Sequence, residues 1–359
     1  MSIEEQRLAP IRDKIDSLDF EILDLLSKRA QAAQEVGYIK SGFSLPVFRP
    51  EREHQVVTRL QEMNTGPLLS DGIAAIWREV MSACRALEGR QTIAYLGPVG
   101  TFSEQAAQTY FGHSIAGLPC NNIDEVFKVV EKGAAQFGVV PVESSSEGAI
   151  SRTLDLLLDS PLHISGEVVL PIRHYLLAKS GKLDGVTTVC AHAQALAQCQ
   201  QWLSKHAPQL KRQAVSSNAE AACMAARNPS NAAIAGNPAQ IAYGLQAITS
   251  QIQDDPHNLT RFVVIGTYAC QATGHDQTSL VLSVDNQPGA VYSLLESLVQ
   301  HGISINHFES RPTRKSTREY HVYIDVAGHA EDEKVAEALA ELKAIAVFYK
   351  NLGSYPHSD

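Results

Sequence analysis

Residues 8–36 read LAPIRDKIDSLDFEILDLLSKRAQAAQEV, and this stretch decides the first part of the fold. Its apolar residues recur every three or four positions from Leu8 to Val36, and the stripe is broken only at Arg29. Such spacing is typical of one face of an α-helix. It predicts a helix over 5–40, about 54 Å long at about 1.5 Å per residue. Because a small helical domain is only about 30 Å across, we expect a second copy of the chain to cover part of this helix.

Two shorter helices follow the long one. One is predicted over 50–64, where Pro50 suits a first-turn position, and the other over 70–88, which opens with Ser70 and Asp71. No strand-like alternation interrupts them. We therefore expect an all-α, three-helix domain over 1–90.

Residues 92–268 change to short β-rich runs that alternate with helical stretches, which is typical of an α/β fold. Helices are expected near 103–111, 122–132, 193–206 and 218–227. Strands are predicted over 92–97, 136–142, 166–178, 186–191, 231–236 and 260–266. A segment of this length suits two α/β lobes around a cleft.

Residues 278–355 follow the order strand, helix, strand, strand, helix, strand, after a polar stretch at 271–277. The strands are predicted over 278–284, 303–312, 317–328 and 346–355, and the helices over 289–301 and 331–343. This βαββαβ order is that of an α+β, ferredoxin-like sandwich. The chain is thus predicted to be multidomain.

Composition narrows the possible functions. The 359 residues carry 30 Lys+Arg against 39 Asp+Glu, and a net charge of −9 argues against a nucleic-acid or membrane-surface partner. The six cysteines form no CxxC pair and have no histidine at a metal-ligand spacing, so we expect free thiols and no metal or cofactor site. The N-terminus has no apolar signal segment, and no run is long enough to cross a membrane. These features predict a cytoplasmic protein.

Charged residues interrupt the apolar faces of the three predicted helices. Two acids, Glu53 and Glu88, stand against five cations: Arg12, Arg29, Lys40, Arg49 and Arg52. Salt bridges between helices would account for such residues. The surplus of cations, however, favours a small dianionic ligand held by guanidinium groups.

The same segment resembles a known family. The pattern LxxIRxKIDxLDxxILxLLxxR over 8–29, EVGxxK over 35–40 and RPERE over 49–53 is similar to the all-helical chorismate mutases that are fused to prephenate dehydratase. The resemblance implies a dimer in which Arg12 enters the partner's pocket. It places Arg29, Lys40, Arg52 and Glu53 in the pocket of their own chain.

The resemblance also implies the chemistry of this pocket. Chorismate rearranges to prephenate by a pericyclic shift, so the protein restrains the substrate and stabilises charge on the breaking ether. Arg12 and Arg29 would hold carboxylates, Glu53 the ring hydroxyl, and Lys40 with Glu88 the ether oxygen. Glu88 would have to be protonated, because an ionised carboxylate repels that oxygen.

Three polar turns of the middle segment lie at the ends of predicted strands. They are the glycine-rich turn 97–103, the run 143–148 and the run 258–262. The first two precede predicted helices and could bind an anion at a helix N-terminus, whereas the third places Thr260 and Arg261 at the start of a strand. Taken singly, each is better explained by ordinary capping. The residues alone leave both interpretations open.

Motifs in these turns resemble prephenate dehydratase: GPxGTFSExAA, VPVExSxEG, HxQALAQC and NxTRFxVIG. The resemblance implies loss of CO2 and hydroxide from prephenate, with Thr260 as the donor to the departing hydroxyl. It assigns carboxylate binding to Arg261 and to the turn that holds Thr101 and Ser103. Ser144 stands where asparagine is usual, and 191–194 reads AHAQ where SHPQ is usual.

The last segment resembles an ACT regulatory domain. Two motifs carry the likeness: Gly289, Ala290 and Val291 at a strand-to-helix turn, and Glu309, Ser310, Arg311 and Pro312 at a strand end. In the dehydratase family such motifs imply an L-phenylalanine site at a dimer interface. Taken singly, each motif could also be a turn or an exposed loop.

The preferred hypothesis is a homodimer or larger oligomer that converts chorismate to prephenate over 1–90 and prephenate to phenylpyruvate over 92–268. L-phenylalanine would inhibit it through 278–355. One alternative is a non-catalytic amino-acid sensor with the same folds. Another is an active mutase joined to an impaired dehydratase, which the changes at Ser144 and 191–194 would explain.

Overall fold

A computed structural model describes residues 3–43, 45–285, 287–312 and 319–357. The chain divides into two compact units. One contains Met1–Arg49, Val56–Gln91 and Phe111–Ile115, and the other contains Pro50–Gln55, Thr92–Tyr110 and Ala116–Asp359. In the part of the chain that is described, no helix combines the length and apolar character that crossing a bilayer requires.

The three predicted N-terminal helices are present. They are α1 (Ile3–Gly42), α2 (Pro50–Glu62) and α3 (Ser70–Glu88), and Pro50 opens α2 as predicted. Helix α1 packs on α3 through part of its length. Its apolar stripe is otherwise uncovered, since Ile11 is 57% and Ile15 51% exposed.

The first lobe of the larger unit is a mixed sheet with the strand order β2-β1-β3-β11-β5, and β4 pairs with β3. Its strands are β1 (Thr92–Leu96), β2 (Ala116–Cys120), β3 (Phe137–Ser144), β4 (Gly148–Ala149), β5 (His163–Pro171) and β11 (Leu259–Gly266). Its helices are α4 (Phe102–Phe111), α5 (Ile123–Glu131) and α6 (Ser151–Asp159).

The second lobe is a five-stranded sheet with the order β10-β6-β9-β7-β8. Its strands are β6 (Tyr175–Ala178), β7 (Thr188–His192), β8 (Lys211–Val215), β9 (Asn231–Ala235) and β10 (Gln246–Ser250). Its helices are α7 (Ala193–Gln198), α8 (Gln200–His206), α9 (Asn218–Arg227) and α10 (Asn237–Tyr243). The chain crosses between the lobes twice, after β5 and after β10, so the two α/β lobes predicted from the sequence are confirmed.

Two element predictions in this region are wrong. The run 166–178 is not one strand, because the chain leaves the first sheet at Pro171 and enters the second at Tyr175. The helix expected over 193–206 is two short helices that meet at Cys199.

The C-terminal segment forms a four-stranded sheet with the order β13-β14-β12-β15, which confirms the βαββαβ prediction. Its strands are β12 (Asp276–Asp285), β13 (Ile305–Pro312), β14 (Glu319–Ala327) and β15 (Phe348–Pro356), and its helices are α11 (Ala290–Gln300) and α12 (Glu333–Ile345). The strand expected over 317–328 starts at residues that lie outside the described ones.

The first lobe and the C-terminal sheet share one hydrophobic core within the larger unit. The C-terminal segment contributes Val281, Tyr323, Leu352 and Tyr355, which cluster with residues of the first lobe that include Leu154, Leu157 and Ile164. Strand β15 packs on β5, where the backbone of Gly353 lies against the backbone of Ile164.

Candidate functional sites

A cleft of about 300 Å³ lies between the two α/β lobes. The segments 96–103, 141–150, 172–174, 192–198 and 216–218 contribute to its walls, together with the start of β11. Its volume is in the range of pockets that bind small molecules. The three polar turns singled out in the sequence therefore meet at one place.

The glycine-rich turn before α4 caps the helix through Thr101, and Ser103 in the first turn of α4 has a hydroxyl with no partner among the described residues. The Thr101 hydroxyl accepts from the backbone N–H of Glu104 at 3.3 Å and donates to the carbonyl of Leu96 at 2.9 Å. The Glu104 carboxylate in turn accepts from the backbone N–H of Gly100 at 2.5 Å. This is a form of capping box, so Thr101 has a structural role here. Ser103 also lines the cleft, and its hydroxyl has no hydrogen-bond partner among the described residues.

Helix α9 of the second lobe begins at the cleft in the same way. The Ser217 hydroxyl accepts from the backbone N–H of Glu220 at 3.0 Å, and the Glu220 carboxylate accepts from the backbone N–H of Ser216 at 2.9 Å. Ser217 and Asn218 line the cleft. Two ten-residue helices, α4 and α9, thus direct their N-termini at the same space from opposite lobes.

The lining residues include no lysine or arginine in the described part of the chain. No ammonium or guanidinium group among the described lining residues is therefore available to hold an anion in this cleft. Helix N-termini carry a partial positive charge and free backbone N–H groups, so α4 and α9 supply the positive potential instead.

Thr260 and Arg261 are adjacent in β11, but their side chains lie on opposite faces of the sheet. Thr260 lines the cleft, and its hydroxyl has no hydrogen-bond partner among the described residues. Arg261 does not line the cleft, because successive side chains of a strand point to opposite faces. The structure thus places Thr260 at the cleft and Arg261 outside its lining, and the roles expected of both residues stay predictions.

Arg261 is instead held at the junction with the C-terminal sheet. Its Nε lies 2.7 Å from Glu167, one terminal nitrogen lies 2.6 Å from Asp325, and the other donates to the Tyr355 hydroxyl at 3.1 Å. Burial lowers the pKa of Arg261, but Tyr355, Asp325 and Glu167 together outweigh it and raise that pKa. The guanidinium is therefore a charged link between β11 and the C-terminal domain.

A chain of hydrogen bonds crosses the cleft wall from Ser144. Its hydroxyl lies 3.0 Å from that of Ser146, which accepts from the Gln198 amide nitrogen at 2.8 Å. The Gln198 amide oxygen lies 2.8 Å from Nε2 of His174. Ser144 thus belongs to a polar network of the cleft although it replaces the usual asparagine. Gln198 lies in the HxQALAQC motif, which is the signal that could have singled it out, whereas nothing in the sequence singled out His174.

In the helical unit, the structure brings Lys40 and Glu88 together. Nζ of Lys40 lies 3.4 Å from the Glu88 carboxylate and 2.9 Å from the carbonyl of Val47. The protonated form of Glu88 stays a prediction. On α1, Arg12 is exposed and Arg29 is half-buried.

The remaining residues predicted for this pocket lie on α2. Arg52 is exposed and Glu53 half-buried, and both lie in its first turn. Their roles stay predictions.

The two effector motifs lie on separate elements of the C-terminal domain. Gly289 is the N-cap of α11 with φ 91°, and Ala290 and Val291 form the first turn. Residues Glu309, Ser310, Arg311 and Pro312 end β13, an edge strand. Arg311 donates to the carbonyl of Ser151 at 3.0 Å and lies 3.4 Å from Asp155, so this motif is tied to α6 of the first lobe.

Comparison with known proteins agrees with this architecture. Family models match in three places: prephenate dehydratase at residues 93–269, chorismate mutase type II at 11–89 and the ACT domain at 278–344. A bifunctional chorismate mutase/prephenate dehydratase of Neisseria gonorrhoeae is 48% identical over 98% of both chains. The chain belongs to the bifunctional chorismate mutase/prephenate dehydratase family. The family and fold class expected from the sequence are confirmed.

Solved structures resemble the dehydratase and ACT segments. The prephenate dehydratase of Arthrobacter aurescens in complex with L-Phe is 33% identical, covers 74% of this chain and 90% of its own, and has a TM-score of 0.68. A quorum-quenching acylase, GqqA, is 27% identical, covers 75% of this chain and 98% of its own, and has the same TM-score of 0.68.

Proposed function

We propose that the chain catalyses two consecutive reactions, chorismate to prephenate and prephenate to phenylpyruvate, under feedback inhibition by L-phenylalanine. Membership of the bifunctional family supports both activities and argues against a purely sensing role. The observation that carries the dehydratase assignment is the Thr260 hydroxyl, which lines a small-molecule cleft and has no partner among the described residues.

In the dehydratase reaction two bonds of prephenate break. The bond to the ring carboxylate releases CO2, and its electron pair completes the aromatic ring. The ring C–O bond breaks with its electron pair on oxygen, which needs a hydrogen-bond or proton donor as charge develops. Thr260 is that donor in the proposal.

The two carboxylates of prephenate suit the positive ends of α4 and α9. Ser103 at the first helix and Asn218 at the second add polar side chains that line the cleft. One carboxylate would then be held by each lobe. This replaces Arg261 as the carboxylate ligand, because Arg261 is bound at the junction with the C-terminal sheet.

The mutase proposal rests on α1 and α3 together with the family match. Lys40 and Glu88 lie within 3.4 Å of each other, near enough to contact one ligand atom jointly. Arg12 and Arg29 would hold the carboxylates, with Arg12 reaching the partner chain. The assignments of Arg52 and Glu53 rest on the family resemblance alone.

The proposal includes a homodimer or larger oligomer of chains with domains over 1–90, 92–268 and 278–355. The exposed apolar stripe of α1, which includes Ile11 and Ile15, supports an oligomer, because large exposed apolar faces mark interaction sites. The L-Phe complex of the Arthrobacter relative supports L-phenylalanine as the effector, and the placement of its site near Gly289 and Arg311 rests on the resemblance of those motifs. The six free cysteines fit a reducing compartment such as the cytoplasm.

Replacing Thr260 tests the dehydratase assignment. Thr260→Val keeps the shape of the side chain and removes the hydroxyl, so phenylpyruvate formation from prephenate should fall by about 10²–10⁴-fold. Thr260→Ser keeps the hydroxyl and is the matched control. Chorismate consumption should be unchanged in both variants. Full dehydratase activity in Thr260→Val would show that another group serves the departing oxygen.

A further inference from the structure

His174 lies on the first crossover between the two lobes, where its backbone and ring are both held. Its backbone N–H donates to the Gln253 side chain at 3.0 Å, and its carbonyl accepts from Ile252 at 3.0 Å, so it is bound to the second crossover. The side of the ring meets Phe102 with a centroid separation of 5.7 Å. The residue is 2% exposed and lines the cleft.

The hydrogen bonds around Gln198 decide which ring nitrogen of His174 carries the proton. The Gln198 amide nitrogen donates to Ser146 at 2.8 Å, so its oxygen is the atom that lies 2.8 Å from Nε2 of His174. An amide oxygen only accepts, and Nε2 must therefore carry the hydrogen. Burial lowers the pKa of His174 and outweighs the Gln198 hydrogen bond, which raises it. The ring is neutral, and Nδ1 has a free lone pair.

The other ring nitrogen of His174, Nδ1, has an unsatisfied hydrogen-bonding capacity. It is buried and has no hydrogen-bond partner among the described residues. Leaving a buried acceptor unpaired is unfavourable, and such groups in native proteins call for an explanation. Because His174 lines the cleft, a ligand that offers a donor would complete its hydrogen bonding.

Prephenate offers one hydrogen-bond donor. Its ionised carboxylates and its keto group only accept, whereas its ring hydroxyl donates. We propose that Nδ1 of His174 accepts the hydrogen of this ring hydroxyl and orients the group that leaves. A hydroxyl held in this way keeps its oxygen lone pairs free for Thr260. The inference rests on the proposed dehydratase function and adds a recognition residue to it.

Two substitutions distinguish the role of Nδ1 of His174 from that of Nε2. His174→Asn places an amide near the position of Nδ1 and loses the contact with Gln198. His174→Gln places its amide near the position of Nε2 and loses the acceptor at Nδ1. Because this hydrogen bond is lost in His174→Gln, kcat/KM for prephenate should be about tenfold lower in that variant than in His174→Asn, which corresponds to about 1.4 kcal/mol. A role confined to holding Gln198 predicts the opposite order.

Inhibition by a substrate analogue is a second measurement, and it distinguishes loss of the Nδ1 acceptor from damage to the fold. The analogue carries hydrogen in place of the ring hydroxyl and is used as a competitive inhibitor. The inhibition constant of the analogue should be the same for wild type and His174→Gln, because the analogue has no hydroxyl to donate to Nδ1. The KM for prephenate should be higher in His174→Gln than in wild type. Chorismate consumption in the same preparations reports on the integrity of the chain.

The outcomes distinguish this inference from the function on which it rests. Equal loss in both variants, or a His174→Gln chain as active as wild type, overturns the role of Nδ1. The role of Nδ1 is also overturned if the inhibition constant of the analogue rises in His174→Gln by the same factor as the KM for prephenate. A wild-type chain that makes no phenylpyruvate overturns the proposed function itself, and this inference with it.

Discussion

At the end of α3, the Glu88 side chain is 7% exposed and lies 3.4 Å from Nζ of Lys40, whose side chain is 21% exposed. A partly buried pair of this kind is screened by solvent less than a surface pair. When Glu88 is ionised it attracts the Lys40 ammonium and repels the ether oxygen that both groups are proposed to address. Its protonated form would donate to that oxygen and leave Lys40 available to the substrate.

This arrangement makes a prediction about the charge at position 88. Glu88→Gln keeps the length of the side chain and carries an amide that can donate to the ether oxygen, so this variant should retain mutase activity. Glu88→Ala has no donor and should be about tenfold less active, because one hydrogen bond to the ether oxygen is lost. The measurement is kcat/KM for chorismate in both variants. A Glu88→Gln variant as inactive as Glu88→Ala would show that the reaction needs the carboxylate.

At the same scale, the sequence predicts some site residues and not others. Thr260 and Ser103 could be singled out because they stand in motifs beside a predicted strand or turn. The bonding of Arg261 could not, since its partners Glu167 and Asp325 are distant in sequence. His174 gave no signal because its importance lies in one nitrogen atom without a partner, which only the packing of two crossovers reveals.

At the scale of helices and strands, amphipathic segments were predictable and polar ones were not. Helix α1 repeats its apolar residues every three or four positions and α3 has a distinct apolar face, and both helices are present. Strand β8 reads KRQAV and is mostly exposed, so it has no apolar alternation to reveal it. In the run 166–178 the apolar stretches 168–172 and 175–178 are only two residues apart, which hides the point where the chain changes sheet. Pairing between distant segments decided both cases.

Strand β15 lies so close to β5 that we expect Gly353 not to tolerate the addition of a single methyl group. At Gly353 a Cβ atom would overlap the carbonyl oxygen of Ile164, and φ is 141°. Overpacking of this kind costs about 1–3 kcal/mol, so Gly353→Ala should lower Tm by several degrees. Gly274→Ala is the control, because Gly274 also has a positive φ, of 90°, but open space around it. Equal Tm values in a calorimetric scan would show that the strands can separate at no cost.

At the scale of the whole molecule, the C-terminal domain is part of the dehydratase core. Val281, Tyr323 and Leu352 cluster with residues of the first lobe, and deletion of 278–359 would expose that surface to water. Arg261 and Arg311 add polar links to β11 and α6. A truncated chain is therefore a poor test of feedback, because loss of inhibition would be mixed with loss of the fold.

These links give phenylalanine a physical route to the cleft. Arg311 belongs to a predicted effector motif and donates a hydrogen bond to Ser151 of α6, the helix that directly follows the cleft segment 141–150. Arg261 joins the C-terminal sheet to the strand that carries Thr260. A ligand alters activity only if it binds two arrangements unequally, so phenylalanine must favour one in which these strands and helices hold the cleft less productively.

A point substitution at the effector motif tests this route without removing the domain. At Gly289 φ is 91° and a Cβ atom would meet nothing within 4 Å, so Gly289→Val acts through backbone strain and not through crowding. The strain should displace the first turn of α11 and raise the half-inhibitory concentration of phenylalanine on the order of tenfold. The KM for prephenate should stay the same, because the cleft lies in another part of the fold.

Gly302→Val is the matched control for this experiment. Gly302 lies in the same domain, has a φ of 66° and also has open space around it, but it stands outside both effector motifs. Its variant should carry a similar strain and keep the wild-type response to phenylalanine. If both variants lose inhibition equally, general loosening of the C-terminal domain is the cause. If phenylalanine inhibits Gly289→Val at the wild-type concentration, the effector binds elsewhere.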